Sequence, residues 1–137
     1  MATLISYEEF SKTEEYKAFA VVNPEQGSLK VMAFTAYQAI PIANVEIIVS
    51  KDFGNDKVVF FRGQTDSNGM IANIELPAPK AQYVADKDVM PPYTSYDITA
   101  IHGNFDTIDN YVVGIFGDVR VIQYVKMAPS SGDTSGS

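Results

Sequence analysis

Ala43-Asn44-Val45-Glu46-Ile47-Ile48-Val49-Ser50, running on through Gly54-Asn55-Asp56 to Thr65-Asp66-Ser67-Asn68-Gly69, decides how this chain is read. Val45, Ile47 and Val49 alternate with Asn44, Glu46 and Ser50. A period of two sends one set of side chains to a buried face and the other to water, as in a β-strand. Gly54-Asn55-Asp56 and Ser67-Asn68-Gly69 supply turn residues that accept positive φ. The spacing predicts strands over 43–50, 57–63 and 70–76. Gly63, inside an apolar run, marks a bulge or a strand end.

The same pattern extends in both directions. Over 28–35, Leu29, Val31 and Ala33 alternate with Lys30 and Met32. Over 94–102, Tyr96, Ile98 and Ala100 alternate with Asp97 and Thr99. Strands over 109–116 and 119–127 are joined by Gly117-Asp118. Ile40-Pro41-Ile42 is placed at the start of the second strand, where a missing N–H is tolerated. Leu76-Pro77-Ala78-Pro79 through Met90-Pro91-Pro92 is too rich in proline for a central strand and reads as a long crossover between sheets. Seven short strands with no helical pattern between them predict an all-β, seven-stranded antiparallel Greek-key sandwich, with a closed barrel as the competing architecture.

Residues 1–26 form an acidic extension, read as partly helical. Ser6-Tyr7-Glu8-Glu9 has capping-box spacing, and Thr13-Glu14-Glu15-Tyr16 offers a second helix start. Phe10, Tyr16 and Phe19 are expected to pack on the body, and Pro24 closes the segment. Residues 27–129 make the sandwich. Residues 130–137, all Ser, Gly, Asp or Thr, are read as a flexible tail or linker.

The 137 residues fit one domain, and a chain of this size buries enough surface for a core without staples. Ten basic residues against seventeen acidic ones give a net charge of −7. That balance argues against nucleic acid and anionic membrane as partners. With no Cys there is no disulfide framework, thiolate metal site or cysteine nucleophile; a single His excludes a His-rich metal cage. Met1 to Phe10 has no basic n-region and no apolar run longer than Leu4-Ile5, so no signal peptide is read. Synthesis in the cytoplasm is expected, with association to a spore or cell envelope left open.

The order Gly27-Ser28-Leu29-Lys30-Val31, Ile40-Pro41-Ile42-Ala43-Asn44-Val45, Thr65-Asp66-Ser67-Asn68-Gly69, Ile74-Glu75-Leu76-Pro77, Tyr96-Asp97-Ile98-Thr99 and His102-Gly103-Asn104-Phe105 resembles the carboxypeptidase-regulatory-like, or transthyretin-like (prealbumin-like, Ig-like), β-sandwich. A likeness over 27–129, in Pro91-Pro92-Tyr93-Thr94-Ser95-Tyr96, Ile115-Phe116-Gly117-Asp118-Val119 and Ile122-Gln123-Tyr124-Val125-Lys126-Met127, looks like modules of clostridial spore-cortex-lytic and peptidoglycan-binding proteins. The resemblance implies a non-catalytic accessory module. The transthyretin-like fold also has an enzyme branch that hydrolyses 5-hydroxyisourate with two His, an Arg and a C-terminal Tyr-Arg-Gly-Ser. Here there is one His and the chain ends Ser-Gly-Asp-Thr-Ser-Gly-Ser.

Asp66, Asn68 and Glu75 fall at positions three, five and twelve of an EF-hand-like frame, but position one is Gln64 and the flanks are strands. A hairpin turn held by Asp66 and Gly69 explains the same residues, leaving a calcium-stabilised spacer as a minor alternative. His102 near Asp97, Asp106 or Asp109 has the chemistry of a general base, yet no G-x-S-x-G elbow accompanies it. Asp106 with Asp109, or Asp52 with Asp56, would be the pairs for a glycan hydrolase, and each sits where turns are expected. Lys30 as an isopeptide amine lacks an Asn or Asp acceptor in the last strand. Tyr83, Pro91, Pro92 and Tyr93 form the candidate binding surface, since tyrosines stack on sugars or anchor protein interfaces, whereas Tyr96 on its alternating face is read as core. The expected activity is binding of a protein partner or of cell-wall glycan, with no cofactor, and with homo-oligomers through open edge strands as a further possibility.

Overall fold

Val45, Ile47 and Val49 are fully buried, as are Leu29, Val31, Tyr96, Ile98 and Ala100, so the alternation does sort side chains between core and surface. The computed structural model of the chain describes residues 3–82, 85–86 and 88–130. Its elements are β1 (Thr3–Ser6), α1 (Tyr7–Phe10), α2 (Glu14–Val22), β2 (Glu25–Thr35), β3 (Glu46–Asp52), β4 (Asp56–Gln64), β5 (Met70–Ala78), β6 (Thr94–Ile101), β7 (Ile108–Ile115) and β8 (Arg120–Met127). One sheet has the order β1-β4-β3-β6-β7 and the other β5-β2-β8. The fold is an all-β sandwich, and the crossover after β5 changes sheets as its prolines predict.

Four expectations are corrected. Among the described residues there are eight strands rather than seven. β1, at an edge and only four residues long, is too short to show a readable alternation. The sheets are mixed rather than antiparallel: β1 runs parallel to β4, and β8 runs parallel to β2. Local pattern carries no information on the direction of strands paired across long connections. Pro41 makes only an isolated bridge to Phe34, and β3 starts at Glu46, after Asn44 turns the chain with φ of 64°. Pro77 belongs to β5 rather than to the crossover, because β5 is an edge strand that tolerates a missing donor.

The helical starts lie where expected. The Ser6 side chain accepts from the Glu9 amide (3.1 Å) and the Thr13 hydroxyl from the Tyr16 amide (3.2 Å). Glu14 and Glu15 sit in the first turn of α2, where the helix dipole favours negative charge. The two helices connect β1 of the large sheet to β2 of the small one and place Phe10 and Phe19 in the core. Phe10 meets Phe53 at 4.4 Å between ring centroids, Phe19 meets Phe60 at 5.7 Å, and Phe60 meets Tyr96 at 5.1 Å. The stretch before residue 27 thus contributes an edge strand and two core aromatics. Among the described residues, no helix is long and apolar enough to cross a membrane.

Candidate functional site

The crossover returns to the large sheet at Tyr93, whose ring lies across β7. A Cβ at Gly114 would fall 2.9 Å from Tyr93 Cδ2, so only glycine lets the ring settle there. Tyr93 also packs against Phe116 with centroids 5.6 Å apart. Met90, Tyr93, Val112, Phe116 and Val121, together with Ser95 and Gln123, line a groove of 550 Å³. The groove joins strands from different sheets, because β7 and β8 are each the last strand of their own sheet. Met90 (64%), Val112 (63%) and Tyr93 (50%) remain widely exposed although apolar. Pro91 and Pro92 line a smaller adjoining hollow of 100 Å³ with Ala81 and Gln82, and Phe116 borders both spaces.

Three of the four residues expected to form a surface, Pro91, Pro92 and Tyr93, therefore lie side by side; Tyr83 is outside the described residues. Tyr96 is core: its hydroxyl donates to the Pro77 carbonyl (2.6 Å), tying β6 to β5 of the opposite sheet. Met90, Val112, Phe116 and Val121 were not anticipated. A signal for Val112 existed in Tyr111-Val112-Val113, where an apolar residue occupies a position that alternation assigns to water.

The calcium frame is not assembled. Asp66 Oδ1 accepts from the Asn68 (2.9 Å) and Met70 (3.0 Å) amides, and Gly69 turns the chain with φ of 74°. Glu75 lies up β5, roughly 17 Å beyond Met70 at strand rise. It borders a separate 380 Å³ depression with Gln26, Ser28, Asp118 and Arg120. Among the described residues, no three His, Asp or Glu gather to hold a metal ion.

His102 Nδ1 accepts from the Asn104 amide (3.1 Å), and its ring stands edge-on to Phe105. Among the described residues no side-chain hydrogen bond links it to Asp97, Asp106 or Asp109. Asp52 accepts from the Gly54 amide (2.8 Å), holding the β3–β4 turn. Lys30 stands opposite Ile122 on the outer face of the small sheet. Inside the large sheet, Lys51 donates to the Ser95 carbonyl (2.9 Å). Burial holds its ammonium below the usual lysine range, partly opposed by Asp97. Burial also pushes the Tyr96 phenol well above the ordinary tyrosine value.

No protein-family model matches the chain, and no curated protein matches it by sequence. Solved structures do share its fold. The Bacillus anthracis TIE protein aligns with a TM-score of 0.52 at 15% identity, over 77% of this chain and 17% of its own. GBS52, the minor pilin of the Gram-positive pathogen Streptococcus agalactiae, aligns with a TM-score of 0.54 at 13% identity, over 77% of this chain and 45% of its own. The 3-chlorocatechol 1,2-dioxygenase of Rhodococcus opacus 1CP aligns with a TM-score of 0.52 at 7% identity, over 77% and 60%. The chain spans 17%, 45% and 60% of these three, less than two-thirds of each, and at these identities the likeness is one of fold alone, a two-sheet β-sandwich.

Proposed function

We propose that this chain is a non-catalytic interaction module of a spore- or cell-wall-associated protein, and that it binds a protein partner through the groove between β7 and β8. The observation that carries this reading is the groove itself. Exposed Met90, Tyr93 and Val112 surround a 550 Å³ space with no Asp, Glu, Lys, Arg or His in its lining. An apolar patch with aromatic anchors and a polar rim is what a protein-binding surface needs. A sandwich of the same fold in a minor pilin supports placement at a cell surface.

Binding of cell-wall glycan is the second reading, favoured by the exposed Tyr93 ring, which offers a face for sugar stacking. The two are separated by co-sedimentation with purified peptidoglycan alongside affinity capture from a cell-surface protein fraction. The protein reading expects capture by the native chain that Val112→Asp abolishes, with no sedimentation. Sedimentation lost in Tyr93→Ala would establish the glycan reading instead. If neither experiment responds to groove substitutions, the groove is not the binding surface.

A further inference from the structure

Among the described residues four strands lie at sheet edges: β1, β5, β7 and β8. Proteins blunt such edges with short length, proline, bulges or charge. β1 has four residues, β5 carries Pro77 and a register shift, and β7 carries Gly114 under the Tyr93 ring. β8 differs. It keeps unbroken register with β2 from Ser28↔Arg120 to Thr35↔Met127 and contains neither Pro nor Gly.

The backbone of β8 has a defined free side. The Val119 and Met127 carbonyls accept from the Ser28 and Ala36 amides on the β2 side. Alternation then turns the backbone groups of Arg120, Ile122, Tyr124 and Lys126 away from β2. The Tyr124 carbonyl accepts instead from the Gln123 side-chain amide (2.9 Å), a makeshift partner in place of a neighbouring strand. Ile122 (45%) and Tyr124 (51%) are exposed on this edge.

Charge selects what can lie there. The chain carries −7 overall, yet the outer face of the small sheet sets Lys30, Arg120 and Lys126 against one carboxylate, Glu75. Glu75 lies across Ser28 from Arg120, whose guanidinium also donates to the Ala72 carbonyl (3.4 Å). Among the described residues, none of these three forms an ion pair; the pairs present are Lys17–Glu14 and Arg62–Glu46. We propose that β8 accepts an extended acidic segment of a partner protein as an added strand. Carboxylates six residues apart on that segment face Arg120 and Lys126. Its alternate, apolar side chains enter the groove at Val112, Phe116 and Val121, so the inference rests on the groove being the binding surface. A second copy of the chain does not fit, because antiparallel β8 pairing sets Arg120 of one copy beside Lys126 of the other, and like charges across strands repel.

The test uses the full chain and synthetic peptides. The probe is acetyl-Glu-Val-Thr-Val-Thr-Val-Glu-amide, with a twin bearing Lys at both ends and a control with Pro at the central Val. Calorimetry measures affinity, and hydrogen exchange reads the Ile122 and Tyr124 amides. The acidic peptide is expected to bind roughly tenfold more tightly than the Lys twin, weakening as salt is raised. It should protect the β8 amides, while the Pro control does not bind. Arg120→Glu with Lys126→Glu should reverse the preference between the charged peptides, with circular dichroism confirming the fold. Absence of binding, indifference to end charge, or protection on β7 instead of β8 overturns the inference. A groove still needed for partner capture in the Val112→Asp comparison then shows that only strand addition has failed, whereas a silent groove removes both readings.

Discussion

Thr65 shows how much one side chain holds at the residue scale. Its buried hydroxyl donates to the Ile42 carbonyl (2.7 Å) and accepts from the Val45 amide (3.0 Å), fixing the turn through Asn44 that launches β3. Thr65→Val keeps the shape but strands both backbone groups, and should lower unfolding free energy by about 2 kcal/mol in urea titration. In the sequence Thr65 was legible only as part of a turn motif, because its two partners lie 20 and 23 residues away. Tyr7 makes a pH prediction. Burial, then hydrogen bonding and charge interaction with Tyr16, push its phenol up from 10.0 to about 12. Its contribution is fully present below pH 10 and lost as pH rises through about 12, since the unfolded chain ionises first. Tyr96 acts with the same sign. Lys51 acts with the opposite one: the burden of its charge is relieved as pH climbs towards 10.5. Urea midpoints between pH 8 and 12 should therefore fall above pH 10, with a shallower fall in Tyr7→Phe.

Elements were legible in proportion to their length and punctuation. The seven strands expected from alternation all have counterparts, and Gly69 and Gly54 turn the chain with positive φ where the turns were placed. At the β7–β8 turn the positive φ falls on Asp118 rather than on the glycine beside it. The helix starts were legible because caps are local chemistry: Ser6 and Thr13 each bond an amide three residues on. Thr13→Ala should cost about 1 kcal/mol, read as a lower thermal midpoint with an unchanged β signal in circular dichroism. β1 was not legible, because four residues with Thr3, Leu4 and Ser6 exposed show no buried face. The full extent of β5 is not legible, because proline excludes central positions but not edges, and only the sheet order makes β5 an edge.

Across the whole molecule, the helical segment packs its aromatic residues into the sandwich. Phe10 is almost wholly buried and touches Tyr16, Phe19, Phe53 and Phe60, gathering rings from both helices, β4 and the β3–β4 turn. Phe10→Ala should cost about 3–5 kcal/mol, as a large buried ring replaced by a void. Denaturant titration checks this. A loss below about 1 kcal/mol would mean that the helices contribute little to the core. At this scale the candidate site also takes shape, since Tyr93, Val112, Phe116 and Val121 come from the crossover, from β7 and its following turn, and from β8. Pro91, Pro92 and Tyr93 could be singled out in advance as a compact proline-aromatic run. Val112 and Val121 look like ordinary strand residues until two sheet edges meet.

The amino-acid sequence by itself determined the β class, most strand positions, the turn and cap residues, and which faces of β2, β3 and β6 are buried. Those properties depend on contacts within a few residues or on a period of two, so they are written locally. The tertiary structure decided that β8 lies parallel to β2, that β1 joins β4, and that Glu75 stands apart from Asp66 and Asn68. It also decided that β7 and β8 leave an apolar groove between open edges. Strand direction and edge position arise from pairings between segments far apart in the chain, and no local pattern encodes which distant segment a strand will meet.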